Sequence, residues 1–351
     1  MDFSAEATAT TTHAKIKAMS REFTADVLNL SQSTKLLLNI LRSGNEMHGK
    51  NLSIGEHLGV IEKHSIRINK FCKFHPTFQS LDNDQYLTIS IAIDQLEIFI
   101  ETIVDMHRAD ISALESELIK QTHKILSTTL QFLGSVFRVQ TTLKIRGVYV
   151  IVDPQATKGM PIEEMASSVL RGGANVIQLR DKISDPPTVL RNSKRIRIMC
   201  AANDTVFIAN DDPHIAVNCN AHGLHLGRDD IQIDKARAIL SVKQIIGSSN
   251  NNVEDLNAAI AAGSDYLAVG AIFPTESAGK VNRPVVGTQL IEKAKGMCDK
   301  PIVAIGGITE KNVGEVARAG ADSICVIKSV CGSMNPEEST ARLVEAFQTS
   351  K

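Results

Sequence analysis

From Gly147 onward, short β-branched runs alternate with helical stretches eight times, and this alternation narrows the fold more than any other feature. The expected strands are Val148–Val152, Asn175–Leu179, Val206–Ala209, Gly223–Leu226, Gln244–Ser248, Tyr266–Ala271, Ile302–Ile305 and Ser323–Ile327. Helical segments such as Ile162–Arg171, Thr188–Ala202, Val253–Ala262, Gln289–Met297, Lys311–Ala319 and Pro336–Gln348 lie between or after them. Three junctions share a skeleton: Arg171-Gly172-Gly173-Ala174-Asn175, Ala262-Gly263-Ser264-Asp265-Tyr266 and Ala319-Gly320-Ala321-Asp322-Ser323. In each, a glycine just past the helix end suits a left-handed cap and a tight turn into the next strand. Eight such units in about 205 residues predict a compact α/β fold, a (β/α)8 TIM barrel.

The preceding residues follow another rhythm. Up to about Arg146 apolar residues recur at spacings of three and four, as in Ile89, Ile93, Leu96, Ile100, Ile103 and Val104. The longest helical stretch runs from about Tyr86 to Leu143, with no proline inside it and Gly134 as its first glycine. Pro76–Asp84 reads as a turn. The expectation is an all-α helical-bundle domain over residues 1–146, dimerising or regulatory, followed by the barrel domain over 147–351. A chain of 351 residues accommodates both. The histidines of the helical half lack the H-E-x-x-H or Glu-x-x-His spacing of a helix-borne metal site.

Lys plus Arg number 38 and Asp plus Glu 39, so no global charge favours nucleic acid or an anionic membrane. No window reaches the roughly 18 apolar residues of a spanning helix. The six cysteines form no C-x-x-C pair, and several sit in apolar runs, as expected of reduced core thiols. A soluble, cytoplasmic protein acting on small molecules, and a homo-oligomer, is the resulting expectation.

In a barrel of this kind the chemistry belongs at the carboxyl ends of the strands. Read only there, the sequence offers Gln178, Arg180 and Lys182 after strand 2 and Asn210 and Asp211 after strand 3. Strand 4 is followed by Asp230, strand 5 by Ser249, strand 6 by Thr275 to Lys280, and strand 7 by Gly306-Gly307. Asp211 and Asp230 are hard oxygen ligands suited to Mg2+ that completes its shell with water and phosphate. Arg180, Lys182 and Lys280 supply positive charge for an anion, and Gln178 and Asn210 are neutral donors. Gly306 and Gly307, with the loop after strand 8, match the place where such barrels hold a phosphate on backbone N–H groups. Taken alone, Asp211-Asp212-Pro213 equally suits a helix cap, and Gly306-Gly307 a plain turn.

Gln178-x-Arg180-x-Lys182, Asn210-Asp211, Gly223-Leu224-His225-Leu226-Gly227 with Asp230, Pro274-Thr275 and Ile305-Gly306-Gly307-Ile308-Thr309 occur in that order. With these motifs the chain from Val148 to its end resembles thiamine-phosphate synthase (thiamine-phosphate pyrophosphorylase). The resemblance implies a Mg2+-dependent transferase joining 4-amino-5-hydroxymethyl-2-methylpyrimidine diphosphate to 4-methyl-5-(2-phosphoethyl)thiazole, or its carboxylated form, with loss of diphosphate. It implies that Asp211 and Asp230 hold the metal and that Gln178, Arg180, Lys182, Asn210 and Ser249 contact the pyrimidine diphosphate. Thr275, Glu276, Ser277, Gly307, Ile327 and Lys328 would surround the thiazole phosphate, and Ser249, Lys280 and Arg180 would be the catalytic groups. Three positions depart from the family pattern. A lysine usual in Pro-Thr-x-Thr-Lys is displaced to Lys280, Lys328 replaces a serine, and Arg228 replaces a glutamine. The alternatives are a thiazole tautomerase, which uses a histidine after strand 5 where this chain has Asn250, Asn251 and Asn252, and a non-catalytic phosphate-ligand sensor.

Overall fold

The computed structural model describes residues 21–36, 59–68, 83–106, 113–275 and 284–351. The chain divides into two compact units, Met1–Phe137 and Arg138–Lys351.

Every described residue of the first unit is helical: 21–36 (α1), 59–68 (α2), Asn83–Met106 (α3) and the start of Ala113–Thr142 (α4). The long stretch expected from Tyr86 to Leu143 thus contributes two helices, with residues 107–112 outside the described set, as is most of the Pro76–Asp84 turn. Gly134 does not end α4, which runs on to Thr142. Leu30, Ile61, Ile93 and Leu126 are fully buried, one from each helix, so each helix seals an apolar stripe. Polar ties add to this packing. Asp26 on α1 meets His64 Nδ1 at 2.8 Å and Arg67 Nε at 3.0 Å on α2, and Ser31 donates to Gln95 on α3 at 2.9 Å.

The second unit is a closed barrel of eight parallel strands in sequence order. They are Gly147–Val152 (β1), Val176–Leu179 (β2), Val206–Asn210 (β3), Gly223–Leu226 (β4), Ile245–Asn250 (β5), Tyr266–Val269 (β6), Ile302–Ile305 (β7) and Ser323–Val326 (β8). β1 pairs with β8 through Gly147↔Ser323, which closes the ring and leaves no edge strand. Each strand lies within one or two residues of its expected position. The helices Ile162–Arg171 (α5), Pro186–Ala202 (α6), Val253–Ala261 (α9), Gln289–Met297 (α10), Val313–Arg318 (α11) and Pro336–Thr349 (α13) likewise stand where the periodicity put them. Pro213–Asn218 (α7) is the helix that the Asp211-Asp212-Pro213 cap suggested, whereas Ile233–Ile239 (α8) and Lys328–Cys331 (α12) were not anticipated. Gly173, Gly263 and Gly320 all take the positive φ of the expected left-handed cap, at +90°, +83° and +91°.

Strand alternation creates two cores. Val150, Ile177, Phe207, Leu224, Ile246 and Leu267 face the helices, with Met165 and Val169 of α5 among the residues that cover them. Tyr149, Ile151, Val206, Ile208, Tyr266 and Cys325 fill the barrel interior. Each fully buried apolar side chain contributes about 1.5–3 kcal/mol. By the same period of two, Gln178, Asn210, His225 and Ser249 point inward one layer nearer the carboxyl end. The barrel is therefore apolar at its floor and polar at one mouth. Cys200, Cys219, Cys325 and Cys331 are buried free thiols and Cys298 a half-buried one; Cys72 lies outside the described residues. No described helix is long and apolar enough to cross a membrane.

Candidate active site

The loop after β3 separates two adjacent aspartates that the sequence could not tell apart. Asp212 is the cap of α7: its Oδ1 accepts from His214 N at 2.7 Å and Ile215 N at 3.3 Å, with Pro213 next in line. Asp211 takes no part in capping. It adopts a left-handed conformation, φ 62°, and its N–H donates to the carbonyl of His225 on β4 at 3.0 Å. A non-glycine residue in that conformation is uncommon, although Asp tolerates it better than most. The turn leaves the Asp211 carboxylate at the rim, paired with Lys182 Nζ.

Asp230 reaches the same place from the loop after β4. Its Oδ2 accepts from Gly227 N at 2.6 Å. Burial raises its pKa, and hydrogen bonding with and repulsion from the neighbouring Asp211 carboxylate raise it further; Gly227 N–H and Lys182 act the other way. Two carboxylates brought together in this way favour a cation between them. Mg2+ needs only one or two protein carboxylates when phosphate and water complete its shell, so these residues fit it. Among the described residues no cluster of three or more His, Cys, Asp or Glu could hold a metal without such help.

Around this pair the strand ends contribute charge and amide groups. Arg180 Nη1 donates to Asp153 Oδ2 at 2.6 Å, and Asp153, directly after β1, is 3% exposed. Asp153 was missed by the sequence reading, though the strand-end rule that selected the others applies to it equally. It fixes the guanidinium and also accepts from Gln155 N at 2.9 Å. Gln178 is buried, and its Nε2 has no hydrogen-bond partner among the described residues. Asn210 is half-buried at the end of β3. A cavity of about 190 Å3 is lined by Lys182, Asn210, Asp211 and Asp212, and another of about 540 Å3 by Gly227, Asp230, Ser249 and Asp255.

Ser249 ends a polar chain that runs from the half-buried mouth down to two buried tyrosines. Its Oγ lies 2.9 Å from His225 Nε2, His225 Nδ1 lies 3.1 Å from the Tyr266 hydroxyl, and that hydroxyl lies 3.3 Å from that of Tyr149. The Tyr266 and His225 rings stack with centroids 5.8 Å apart. Burial pushes the His225 pKa down to about 4, so the ring is neutral at pH 7. The sequence reading quoted His225 only as part of a motif.

On the opposite side, Gly306 and Gly307 have φ of 105° and 66°. A Cβ on Gly306 would fall 2.6 Å from Ala271 Cβ, and one on Gly307 would fall 2.6 Å from Pro274 O. These glycines therefore let the β7 loop press against the β6 loop, an explanation for their presence beyond any phosphate contact. Asn312 Nδ2 holds Gly307 O at 2.9 Å. Ile327 is buried, Lys328 is exposed at the start of α12, and Thr275 is half-buried. Glu276, Ser277 and Lys280 lie outside the described residues. Arg228 pairs with Asp255 of α9 at 3.8 Å. The asparagines after β5 have structural work: Asn250 Nδ2 donates to Ser248 O and Ala268 O at 2.8 and 3.2 Å, and Asn252 caps α9.

A closed parallel barrel whose charge gathers where the strands end places the second unit among the (β/α)8 barrel enzymes. Comparison with known proteins narrows this. A family model described as thiamine monophosphate synthase matches residues 148–330, just over half of the chain. The thiamine-phosphate synthase of Thioalkalivibrio sulfidiphilus is 36% identical over 211 residues, covering 60% of this chain and 99% of the relative. That of Methanoregula boonei is 38% identical over 204 residues, covering 58% of this chain and 94% of the relative. Among solved structures, a thiamine phosphate pyrophosphorylase from Pyrococcus furiosus aligns with a TM-score of 0.55 at 31% identity, covering 60% of this chain and 98% of its own. The chain belongs to the thiamine monophosphate synthase family and is an enzyme of that kind.

Proposed function

We propose that the barrel condenses 4-amino-5-hydroxymethyl-2-methylpyrimidine diphosphate with 4-methyl-5-(2-phosphoethyl)thiazole, or its carboxylated form, giving thiamine phosphate and diphosphate, and carbon dioxide as well from the carboxylated form. The observation that carries this reading is the pairing of Asp211, excluded from helix capping by Asp212, with Asp230 at the rim. The two carboxylates would hold Mg2+, which supplies positive charge to a diphosphate leaving group. Arg180, braced by Asp153, and Lys182 add charge from β2, and Gln178, Asn210 and Ser249 orient the pyrimidine diphosphate.

The reaction needs few protein protons. The methylene–oxygen bond to diphosphate breaks, its electron pair leaves with the diphosphate, and the thiazole nitrogen lone pair closes the new carbon–nitrogen bond. Fixed positive charge where negative charge accumulates is the main requirement, and Arg180, Lys182 and Lys280 are assigned to it. Arg180, Lys280 and Ser249 are the catalytic groups of this proposal. Thr275, Glu276 and Ser277, with Gly307, Ile327 and Lys328, are assigned to the thiazole phosphate. A thiazole tautomerase fits less well, because residues 250–252 offer asparagines committed to β5 and α9 rather than a histidine. Residues 1–146 are proposed to form a separate helical domain that serves assembly.

The test is calorimetric titration of the pyrimidine diphosphate with and without Mg2+. Binding that depends on Mg2+ and is lost in Asp230→Ala supports the reading; binding that is equal in chelator counts against it.

A further inference from the structure

We propose that Tyr149, Tyr266 and His225 are positioning residues that hold Ser249 as a hydrogen-bond donor at the barrel mouth, aimed at an acceptor atom of the substrate. That the acceptor belongs to the pyrimidine diphosphate rests on the function proposed above; the direction of the chain does not.

The chain crosses the barrel from β1 to β6, β4 and β5. Gly247 is in register with both His225 and Tyr266, and Ser249 stands two residues nearer the mouth. The arrangement is built into the strands. A Cβ on Gly247 would fall 1.9 Å from Tyr266 Cζ, so the glycine makes the space that the phenol ring occupies.

Proton counting sets the direction. Two tyrosine hydroxyls, one neutral imidazole and one serine hydroxyl carry four protons, while the chain has three links. One proton is left over, on Ser249, Tyr149 or Tyr266. If Ser249 donated inward, the spare proton would sit on Tyr149 or Tyr266, which are 2% and 0% exposed and whose hydroxyls have no further partner among the described residues. An unsatisfied buried donor favours the opposite direction by about tenfold or more. In that direction Tyr149 donates to Tyr266, Tyr266 donates to His225 Nδ1, and His225 Nε2–H donates to Ser249 Oγ. The Ser249 proton is then free for a ligand at the mouth.

A donor at this position selects among the atoms of an aminopyrimidine diphosphate. It matches a ring nitrogen or a diphosphate oxygen and is mismatched with the exocyclic amino group, which is itself a donor. The imidazole thereby acts on the substrate through Ser249 without touching it.

Nitrogen-15 NMR of the full-length protein labelled at histidine reads the tautomer without substrate. The His225 signal is assigned by its loss in His225→Gln or, should that variant not fold, by its displacement in Ser249→Ala. The expected result is a protonated Nε2 and a bare Nδ1; a proton on Nδ1 overturns the proposal. Kinetics supply the second readout. Tyr266→Phe and Ser249→Ala should each lower kcat/KM for the pyrimidine diphosphate by about tenfold, the scale of one hydrogen bond, with the thiazole phosphate KM unchanged. The double variant should be no worse than Ser249→Ala, because both changes remove one interaction. Multiplicative losses would show that Tyr266 acts elsewhere and would overturn the assignment. Absence of turnover in the wild type counts against the proposed reaction, and the tautomer still decides the chain.

Discussion

Replacing Gln178 by Met removes an amide from the barrel interior while keeping the length of the side chain. Gln178 is 1% exposed and its Nε2 has no partner among the described residues, which makes it a desolvated donor. Leaving such a group unmade costs about 1–3 kcal/mol, and an apolar side chain of similar shape avoids that cost. For a domain of this size each kcal/mol moves the melting temperature by about 2–4 °C, so Gln178→Met should raise the barrel transition by about 2–12 °C. If the amide is kept for the substrate, the same change should weaken pyrimidine diphosphate binding by about 10- to 100-fold. Thermal denaturation followed by circular dichroism and calorimetric titration measure the two effects on one sample. A variant that is less stable and binds as the wild type does would refute the reasoning.

Three further outcomes follow from the geometry. Asp153→Ala takes the buried carboxylate from Arg180 and should cost about 2–3 kcal/mol of stability while raising the KM for the diphosphate substrate; unchanged kinetics would remove Asp153 from the site. Gly247→Ala drives a methyl group into Tyr266 and should destabilise the barrel by about 3 kcal/mol, read by urea denaturation, with a near-neutral result contradicting the packing. Burial holds His222 down to about 3 and His225 down to about 4, against about 6.5 unfolded. Between pH 6.5 and 4 the unfolded chain therefore binds more protons than the native one, and stability falls with pH by up to about 1.4 kcal/mol per unit for each histidine. The raised pKa of Asp230 opposes this at the acid end, and stability that is flat from pH 7 to 5 would contradict the burial.

The eight strands were legible because runs such as Val148–Val152 and Ile302–Ile305 are dense in β-branched residues, and because Gly173, Gly263 and Gly320 mark the turns before three of them. Helix α8 escaped notice because seven residues carry too little periodicity; the six of α7 carry no more, and only the Asp212-Pro213 cap announces that helix. The rim was legible as an ordered set of residues after strands. Its internal division of labour was not: Asp211 and Asp212 are chemically identical, and only the direction in which the chain turns assigns one to the helix and the other to the mouth. The Tyr149–Tyr266–His225–Ser249 chain joins β4, β5 and β6 to β1, which lies three strands from β6 in the ring and meets it only across the closed interior, so no local pattern encodes it. In the first unit, periodicity showed helix but not where one helix gives way to the next.

The most direct measurement is thiamine phosphate formation from the two phosphorylated substrates with Mg2+, read as the fluorescent oxidation product, in the wild type, Asp211→Ala and Asp212→Ala. The account predicts product from the wild type, almost none from a folded Asp211→Ala, and near-normal turnover from Asp212→Ala, which forfeits only a helix cap of about 1 kcal/mol. Full activity in Asp211→Ala, or no product from the folded wild type, would contradict it.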